Sequence, residues 1–400
     1  MSVRIKIAKS SKELDDVFQL RHSVYVKQEG VFKEATNRAS SLVDRFDAFP
    51  PNANIIAYSG NEPIGTLRMN LDTGMGLPPD ELYDFDEYRN KVINEWNGSS
   101  DHPPRFMSGG MLAISEPWRN RRDVLRALFK IGAGIGRTWN ATHVLATVSS
   151  KTASIYKRLG FTAISEQCWI EDIGDYITPM VASFDDYYNW AFGNLREDNR
   201  TLEAFAKRFQ RLIFSPGEII FEEGDEGYEG YIIESGTVRI SLTRIPGKEQ
   251  TLATFGRGEL FGELSLLDQK QRSAKATALT DTELIALSGA DFKSELQGQP
   301  ERLNAMLEFF SARMRRTGDL VAALSGTHIQ RMEHLLEDLH NSATPDTKRP
   351  ETLVCKVGLT AFANSAGVTE QEASEFLEEQ KHRYKIEYTD KRIRFLERHH

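Results

Sequence analysis

Cysteine is nearly missing from this chain: Cys168 and Cys355 are the only two in 400 residues. They stand far apart, with no CxxC pair and no Cys/His cluster. That argues against a disulfide framework or a structural zinc site and for reduced thiols in a cytoplasm. Long apolar runs are also missing, so no segment is expected to span a bilayer. The start, Met1-Ser2-Val3-Arg4-Ile5-Lys6, interrupts its apolar residues with charge and does not read as a signal peptide. Basic residues are outnumbered, 50 against 58 acidic, for a formal charge of −8. The balance disfavours nonspecific attraction to nucleic acid or an anionic membrane, although a local basic patch could override it. No repeat and no low-complexity tract is visible.

What is present is a soluble-type composition long enough for two or three domains. Polar, turn-prone stretches at Phe192 to Arg200 and Asn341 to Glu351 read as joints. They divide the chain into 1–195, 196–325 and 326–400. The first segment mixes elements. Leu14 to Tyr25 has helical spacing. Asn54 to Tyr58 and Ile64 to Met69 read as a hairpin around Ser59-Gly60-Asn61-Glu62-Pro63. Met111 to Ile114, His143 to Thr147 and Phe161 to Ile164 read as strands, and Thr152 to Arg158 as a helix. Asp123 is expected to cap a helix carrying Val124, Leu125, Leu128 and Phe129 on its apolar face. This order predicts an α+β multidomain protein whose first domain is a mixed sheet with helices.

The middle segment is a series of short β-like runs: Ile219 to Phe221, Tyr231 to Ile233, Val238 to Leu242, Gln250 to Phe255, Ala274 to Ala278 and Glu283 to Leu287. Gly217, Gly224, Gly236, Gly247 and Gly258 punctuate them. The pattern predicts a small barrel or jelly roll. A long helix is expected over Pro300 to Ser325, its apolar stripe packing on the barrel, on its copy in a homodimer, or on both.

Within that barrel, Phe261-Gly262-Glu263-Leu264-Ser265-Leu266-Leu267 followed by Arg272-Ser273-Ala274 sets one carboxylate and one guanidinium among apolar residues. Neither is expected to be buried without a partner. Together with Pro216 to Phe221, Glu223-Gly224-Asp225, Tyr231 to Ile233 and Ser235 to Val238, the segment resembles the cyclic nucleotide-binding domains of the cyclic-AMP receptor protein and protein kinase A regulatory subunit families, over about Phe205 to Leu324. The resemblance implies Glu263 on the ribose hydroxyl, Arg272 on the phosphate, Ser273 beside it and Thr317 on the base. Backbone N–H groups after Phe261 would face the anion, Gly262 leaving room for close approach. Cyclic AMP is favoured over cyclic GMP. The bland alternative is an empty pocket in which Glu263 and Arg272 pair with each other.

The run Ser154-Ile155-Tyr156-Lys157-Arg158-Leu159-Gly160-Phe161 resembles a segment of the GNAT acyltransferase superfamily. Leu20 to Gln28, Asp44-Arg45-Phe46-Asp47 and Gly65 to Arg68 resemble its acyl-homoserine-lactone synthase and N-acyl amino acid synthase branch. The resemblance implies acyl transfer from acyl-carrier protein or acyl-CoA to an amine, with Tyr156 near the thioester sulfur; no metal is expected, since no Cys/His ligand cluster is present. Two departures stand out. Where most relatives have a glycine-rich pyrophosphate turn, this chain has Arg119, Asn120, Arg121, Arg122 and Asp123. The arginines could hold donor phosphates, dock an acidic carrier protein, or form a solvated helix start. Where the lactone-synthase branch has a glutamate, this chain has Met107-Ser108-Gly109-Gly110. Glu116, Asp44 and Asp47 are then the acids available as base, although Asp44 and Asp47 read equally as a structural pair and Tyr156 as a core tyrosine.

Leu359 to Thr369 has the spacing and glycine turn of a helix-turn-helix, with Arg392 to Leu396 as a wing. The order of barrel, long helix and winged helix resembles the receptor-protein transcription factors. The second helix carries Glu370, Glu372, Glu375, Glu378 and Glu379 and no basic residue before Lys381. That composition repels phosphates, so DNA binding is not expected. The reading is a cyclic nucleotide-regulated acyltransferase. The rival is a nucleotide-responsive transcription regulator or interaction module with a non-catalytic GNAT-like domain.

Overall fold

The computed structural model of the protein describes residues 2–31, 40–96, 103–171, 173–192, 210–245, 248–268, 270–290, 307, 311, 314–315, 327–346, 349 and 351–396. Its contacts group into two compact units, one of Val3–Asp198 with Ala206–Arg211 and one dominated by Leu212–His400.

The first unit is built on a mixed sheet. Its strands are β1 (Val3–Ile7), β2 (Asn52–Ser59), β3 (Glu62–Leu71), β4 (Phe106–Ile114), β5 (His143–Ser149), β6 (Thr162–Ala163), β7 (Cys168–Ile170) and β8 (Asp175–Ser183). They run in the order β1-β2-β3-β4-β5-β8-β6, with β7 also on β8. The β2–β3 hairpin forms where the sequence predicts it, turning at Gly60 with φ +57°. Only a residue tolerant of the left-handed region suits that turn.

Among the described residues, five α-helices accompany the sheet: α1 (Ser11–Arg21), α2 (Asp86–Asn94), α3 (Arg122–Thr138), α4 (Ala153–Arg158) and α5 (Phe184–Phe192). Ser10 and Glu13 close a reciprocal capping box on α1. The helix expected to reach Tyr25 changes character at His22, where a π-helix runs to Gln28. Helix α3 buries Val124, Leu128, Ile131 and Ile135 at helical spacing. Gly136 has no side chain because a Cβ there would meet Met107 Sδ at 2.6 Å. Asp123 does not cap α3, contrary to expectation. Arg121 holds the N-cap position without a side-chain hydrogen bond. Its Nε and Nη2 donate to the Asp123 carboxylate at 3.0 and 2.7 Å.

In the second unit, β9 (Arg211–Phe214), β10 (Ile219–Phe221), β11 (Glu229–Ser235), β12 (Val238–Ile245), β13 (Lys248–Phe255), β14 (Leu260–Phe261), β15 (Lys275–Ala278) and β16 (Thr282–Ser288) form two layers. Their orders are β14-β11-β16-β9 and β10-β15-β12-β13. Phe214, Tyr231, Ile233, Val238, Phe261 and Leu284 meet in one core cluster. Gly217, Gly224, Gly236 and Gly258 all have positive φ, which is why glycine marks these turns. Gly247 and most of the expected 300–325 helix lie outside the described residues.

The same unit ends in α7 (His328–Ser342), β17 (Thr344–Pro345), β18 (Leu353–Cys355), α8 (Leu359–Ala366), α9 (Glu370–Tyr384), β19 (Ile386–Thr389) and β20 (Arg392–Phe395), after a short α6 (Glu263–Asp268) in the barrel. The terminal strands are ordered β17-β18-β20-β19. Helix α8 stops at Gly367 in the left-handed conformation, and Thr369 with Glu372 caps α9. Leu336, Leu339, Phe362, Leu377 and Ile393 form the local core. Glu370, Glu375, Glu378 and Glu379 are exposed on α9.

Candidate functional site

In the first unit the sheet forks. β4 and β5 are paired in parallel only at Phe106–His143, Met107–Val144 and Ser108–Leu145. Beyond Ser108, β4 continues to Ile114 on β3, while β5 continues to Ser149 on β8. Met111, at φ +50°, coincides with a shift of register between β3 and β4. A non-glycine residue in that region marks a bulge, and bulges cluster beside active sites. The Tyr25 hydroxyl, from the π-helix, donates to the Leu112 carbonyl at 2.8 Å and so braces the bulge. Burial pushes Tyr25 above the ordinary tyrosine range, with Tyr156 adding and Arg21 and Arg68 opposing. The Tyr25 motif is visible in the sequence, whereas its hold on the Leu112 carbonyl is not.

At the root of the fork is a cavity of about 10 Å³, lined by Tyr156 with Met69, Gly109, Phe129, Val144, Phe161 and Tyr187. Tyr156 is 7% exposed and stands edge-on to Phe129 and Phe161 at 5.6 and 5.3 Å. Burial pushes its hydroxyl up to about 12. It stays protonated at any ordinary pH and is a donor rather than a ready acid.

The opposite face of the sheet is polar. Arg68 stands across from Asn54 on β2 and Gly110 on β4, one residue out of phase with Met69. Successive strand residues face opposite ways, so Arg68 and Met69 line different sides. Asp44 meets Arg68 Nη1 and Nη2 at 2.5 and 2.8 Å. Asp47 meets both Arg21 and Arg68 at 2.9 Å. Asn54 accepts from Arg21. Burial alone would raise the Asp47 carboxyl, but the two guanidiniums outweigh it and hold it below the usual range. The structure thus gathers Asp44 and Asp47 into an arginine cluster. The Ser108 hydroxyl, on this face, is buried without a hydrogen-bond partner among the described residues. A Cβ at Gly110 would meet nothing within 4 Å, so space lies open beside it.

Glu116 is exposed on a 3-10 turn just after β4. Arg119 reaches Gln28 and Glu29 at 3.0 and 3.3 Å, and Arg121 is tied to Asp123. Arg122 is exposed at the first position of α3. The three arginines therefore do not act as one free cluster.

In the second unit, Phe261 is fully buried and Gly262 turns the chain at φ +72° into Glu263. Glu263 and Arg272 are 3% and 5% exposed. Arg272 Nη1 donates to the Gly262 carbonyl at 2.8 Å and Nη2 to the Glu229 carbonyl at 2.7 Å. Its guanidinium lies 4.2 Å from the Phe221 ring centre and 5.5 Å from that of Tyr231. Nε is buried without a hydrogen-bond partner among the described residues. A Cβ at Gly227 would stand 2.8 Å from it, so only glycine fits there. The arrangement presents a held cation with one N–H edge unused, which suits a phosphate oxygen. Leu264 and Ser273 are exposed nearby in sequence, and Thr317 lies outside the described residues.

Two regions of the chain match known families. The N-acyl amino acid synthase FeeM family model matches residues 16–183, and the cyclic nucleotide-binding domain model matches 211–299. The cyclic AMP receptor protein of Thermus thermophilus is 43% identical over 107 residues, 27% of this chain and 50% of that protein. A cAMP-dependent protein kinase regulatory subunit of Dictyostelium discoideum is 32% identical over 122 residues, 30% of this chain and 37% of that protein. The chain spans about half the length of the curated relatives it matches first. The solved structure of FeeM, an N-acyl amino acid synthase from uncultured soil microbes, aligns at 14% identity, covering 50% of this chain and all of that one (100%), with a TM-score of 0.39. The chain therefore carries, in order, a region that matches the N-acyl amino acid synthase family model and a region that matches the cyclic nucleotide-binding domain model.

Proposed function

We propose that the protein is a cyclic nucleotide-regulated N-acyltransferase of GNAT type, moving an acyl group from a thioester on acyl-carrier protein or CoA to an amine. The observation that carries this reading is the fork in the sheet with Tyr156 at its root, inside the matched synthase region. The amide-bearing arm of the donor would complete the open strand edges. The exposed Arg122 at the start of α3 suits its phosphate, or the acidic surface of a carrier. The acceptor would approach from the Arg68 face, over the open space at Gly110. The amine lone pair forms the C–N bond, the C–S bond breaks with its electrons on sulfur, and the proton shed by nitrogen ends as the thiol proton. Tyr156 donates a hydrogen bond to the departing sulfur. Asp44 and Asp47 are held by arginine, which leaves Glu116 to take the amine proton directly or through water.

Turnover of acyl-CoA and acyl-carrier-protein donors with pooled amines, with and without cyclic AMP, tests this. Tyr156→Phe is expected to lower kcat by about 10²-fold or more while leaving the fold intact. No turnover with either donor removes the enzyme reading, and identical rates with and without nucleotide remove the regulation.

The nucleotide phosphate would take the unused edge of Arg272, with cyclic AMP as the favoured ligand and Glu263 on the ribose. Phe221 is the platform for the guanidinium. Phe221→Leu is expected to weaken cyclic AMP binding by about 1 kcal/mol, roughly fivefold, whereas Phe221→Tyr retains it. Isothermal titration of both variants decides, and equal affinity for Phe221→Leu and wild type overturns the assignment. The segment after the long helix is read as a winged-helix-like domain from about residue 326. The exposed glutamates of α9 argue for protein packing rather than DNA contact.

A further inference from the structure

Resting on the acyl-transfer reading, we propose that Trp169 and Tyr176 form a stacking platform for the adenine of the donor, and that the thioester this domain takes is acyl-CoA. The two residues face each other across the β7–β8 hairpin, Trp169 paired with Tyr176 and Cys168 with Ile177. Their ring centres stand 5.2 Å apart, the planes at 66°. Trp169 is 54% exposed and Tyr176 46%. Tryptophan is among the side chains that a folded chain gains most by burying, and here it shares an open patch with a second ring. The cross-strand contact steadies the hairpin. It leaves the outer surfaces of both rings to a planar guest.

The platform lies on the donor's side of the sheet. On β8, Tyr176 is in phase with Met180 and Ala182, and Ala182 pairs with Val144 of β5. Val144 lines the cavity that holds Tyr156, together with Phe129 of α3, so the ring pair and the cavity share a face. The Ser150 amide donates to the Tyr176 carbonyl at 2.9 Å, which puts Tyr176 just past the end of β5, at the open end of the fork. β4 is parallel to β5 and runs out toward the same end at Ile114, from where a short turn leads to Arg122 at the start of α3. A donor with its sulfur at Tyr156 and its phosphates at Arg122 carries whatever follows the phosphates to this end of the sheet. In CoA that is a phosphorylated ribose and adenine. On a carrier protein it is the acidic carrier itself. The local charge favours CoA. Glu166 and Glu171, both within three residues of Trp169, are exposed and repel an acidic surface. Adenine is neutral and stacks on aromatic rings. The exposed Lys151, next after Ser150, suits the ribose phosphate.

The test is isothermal titration of the full chain with CoA and with 4′-phosphopantetheine, which lacks the adenine. Both are run at saturating cyclic AMP, so that the pocket of the second unit is already filled. Wild type is expected to bind CoA about tenfold or more tightly than 4′-phosphopantetheine. Trp169→Ala is expected to erase most of that ratio, and Trp169→Phe, which keeps a ring, to retain it. If Trp169→Ala folds poorly by circular dichroism, Tyr176→Leu replaces it and carries the same expectation in weaker form. In turnover, Trp169→Ala is expected to raise KM for octanoyl-CoA by about tenfold, the loss falling on KM rather than kcat because the stacked base is remote from the reacting carbonyl. A wild-type ratio near one overturns the platform and leaves acyl transfer standing. So does a ratio untouched by Trp169→Ala, whether through no loss or through equal loss of both probes. Turnover of octanoyl-carrier protein with none of octanoyl-CoA overturns the choice of donor. No turnover with either donor overturns acyl transfer instead, and the titrations then decide the platform alone.

Discussion

Replacing Asp47 with alanine is expected to lower the stability of the first unit by about 3–5 kcal/mol. The side chain is 2% exposed and serves two arginines, Arg21 at 0% and Arg68 at 1% exposure. Its loss leaves two buried guanidiniums short of their counter-charge, and guanidinium cannot shed its proton to escape. Urea unfolding followed by tryptophan fluorescence measures the change. The pH dependence has a definite sign. The carboxyl is held below its ordinary value, so its stabilisation is complete above about pH 4, where an unfolded aspartate ionises, and is lost as the pH falls through the folded value. The variant is expected to lack that acid limb. A variant as stable as wild type would remove the structural reading. Loss of turnover in Asp47→Asn with full stability would return Asp47 to the chemistry.

Arg272→Ala is expected to weaken cyclic AMP binding by about 3 kcal/mol, roughly two orders of magnitude. The residue offers the charge, and its setting offers the aim: two backbone carbonyls and the Phe221 face hold the guanidinium, leaving Nε unused. Those carbonyls also lose donors in the variant, so thermal unfolding without ligand belongs beside the calorimetry. Arg272→Lys keeps the charge but not the fork and is expected to fall between. Affinity unchanged in Arg272→Ala would end the phosphate assignment.

The readable parts of the sequence were those with local causes. Gly217, Gly224, Gly236 and Gly258 announce turns because their φ values suit glycine. The β2–β3 hairpin follows from its turn residues and alternation. The unread parts have distant causes. Strand β1 depends on its register with β2, from Arg4–Tyr58 to Ile7–Ile55. β8 is strand because it closes on β5 along seven residues, Asp175 itself pairing with β7. The motif around Tyr25 was visible, but neither the π-helix nor its hold on Leu112 is encoded in spacing. Asp44 and Asp47 were legible as acids near arginines in a motif. Their commitment to Arg21 and Arg68 appears only when β3 carries Arg68 beneath the loop. The arginine run at 119–122 looked like one cluster, but Arg119 and Arg121 each find a carboxylate.

The kink at Met111 has one more consequence. Bare strand edges attract strands from neighbouring molecules, and a V-shaped opening displays two of them. A straight polypeptide needs a long unbroken ladder to settle there, and the left-handed residue interrupts that ladder partway along. A short arm bearing only a couple of amides needs no such length. Under the proposed acyl transfer, the irregularity would filter visitors by reach, admitting the small guest and discouraging self-templated assembly.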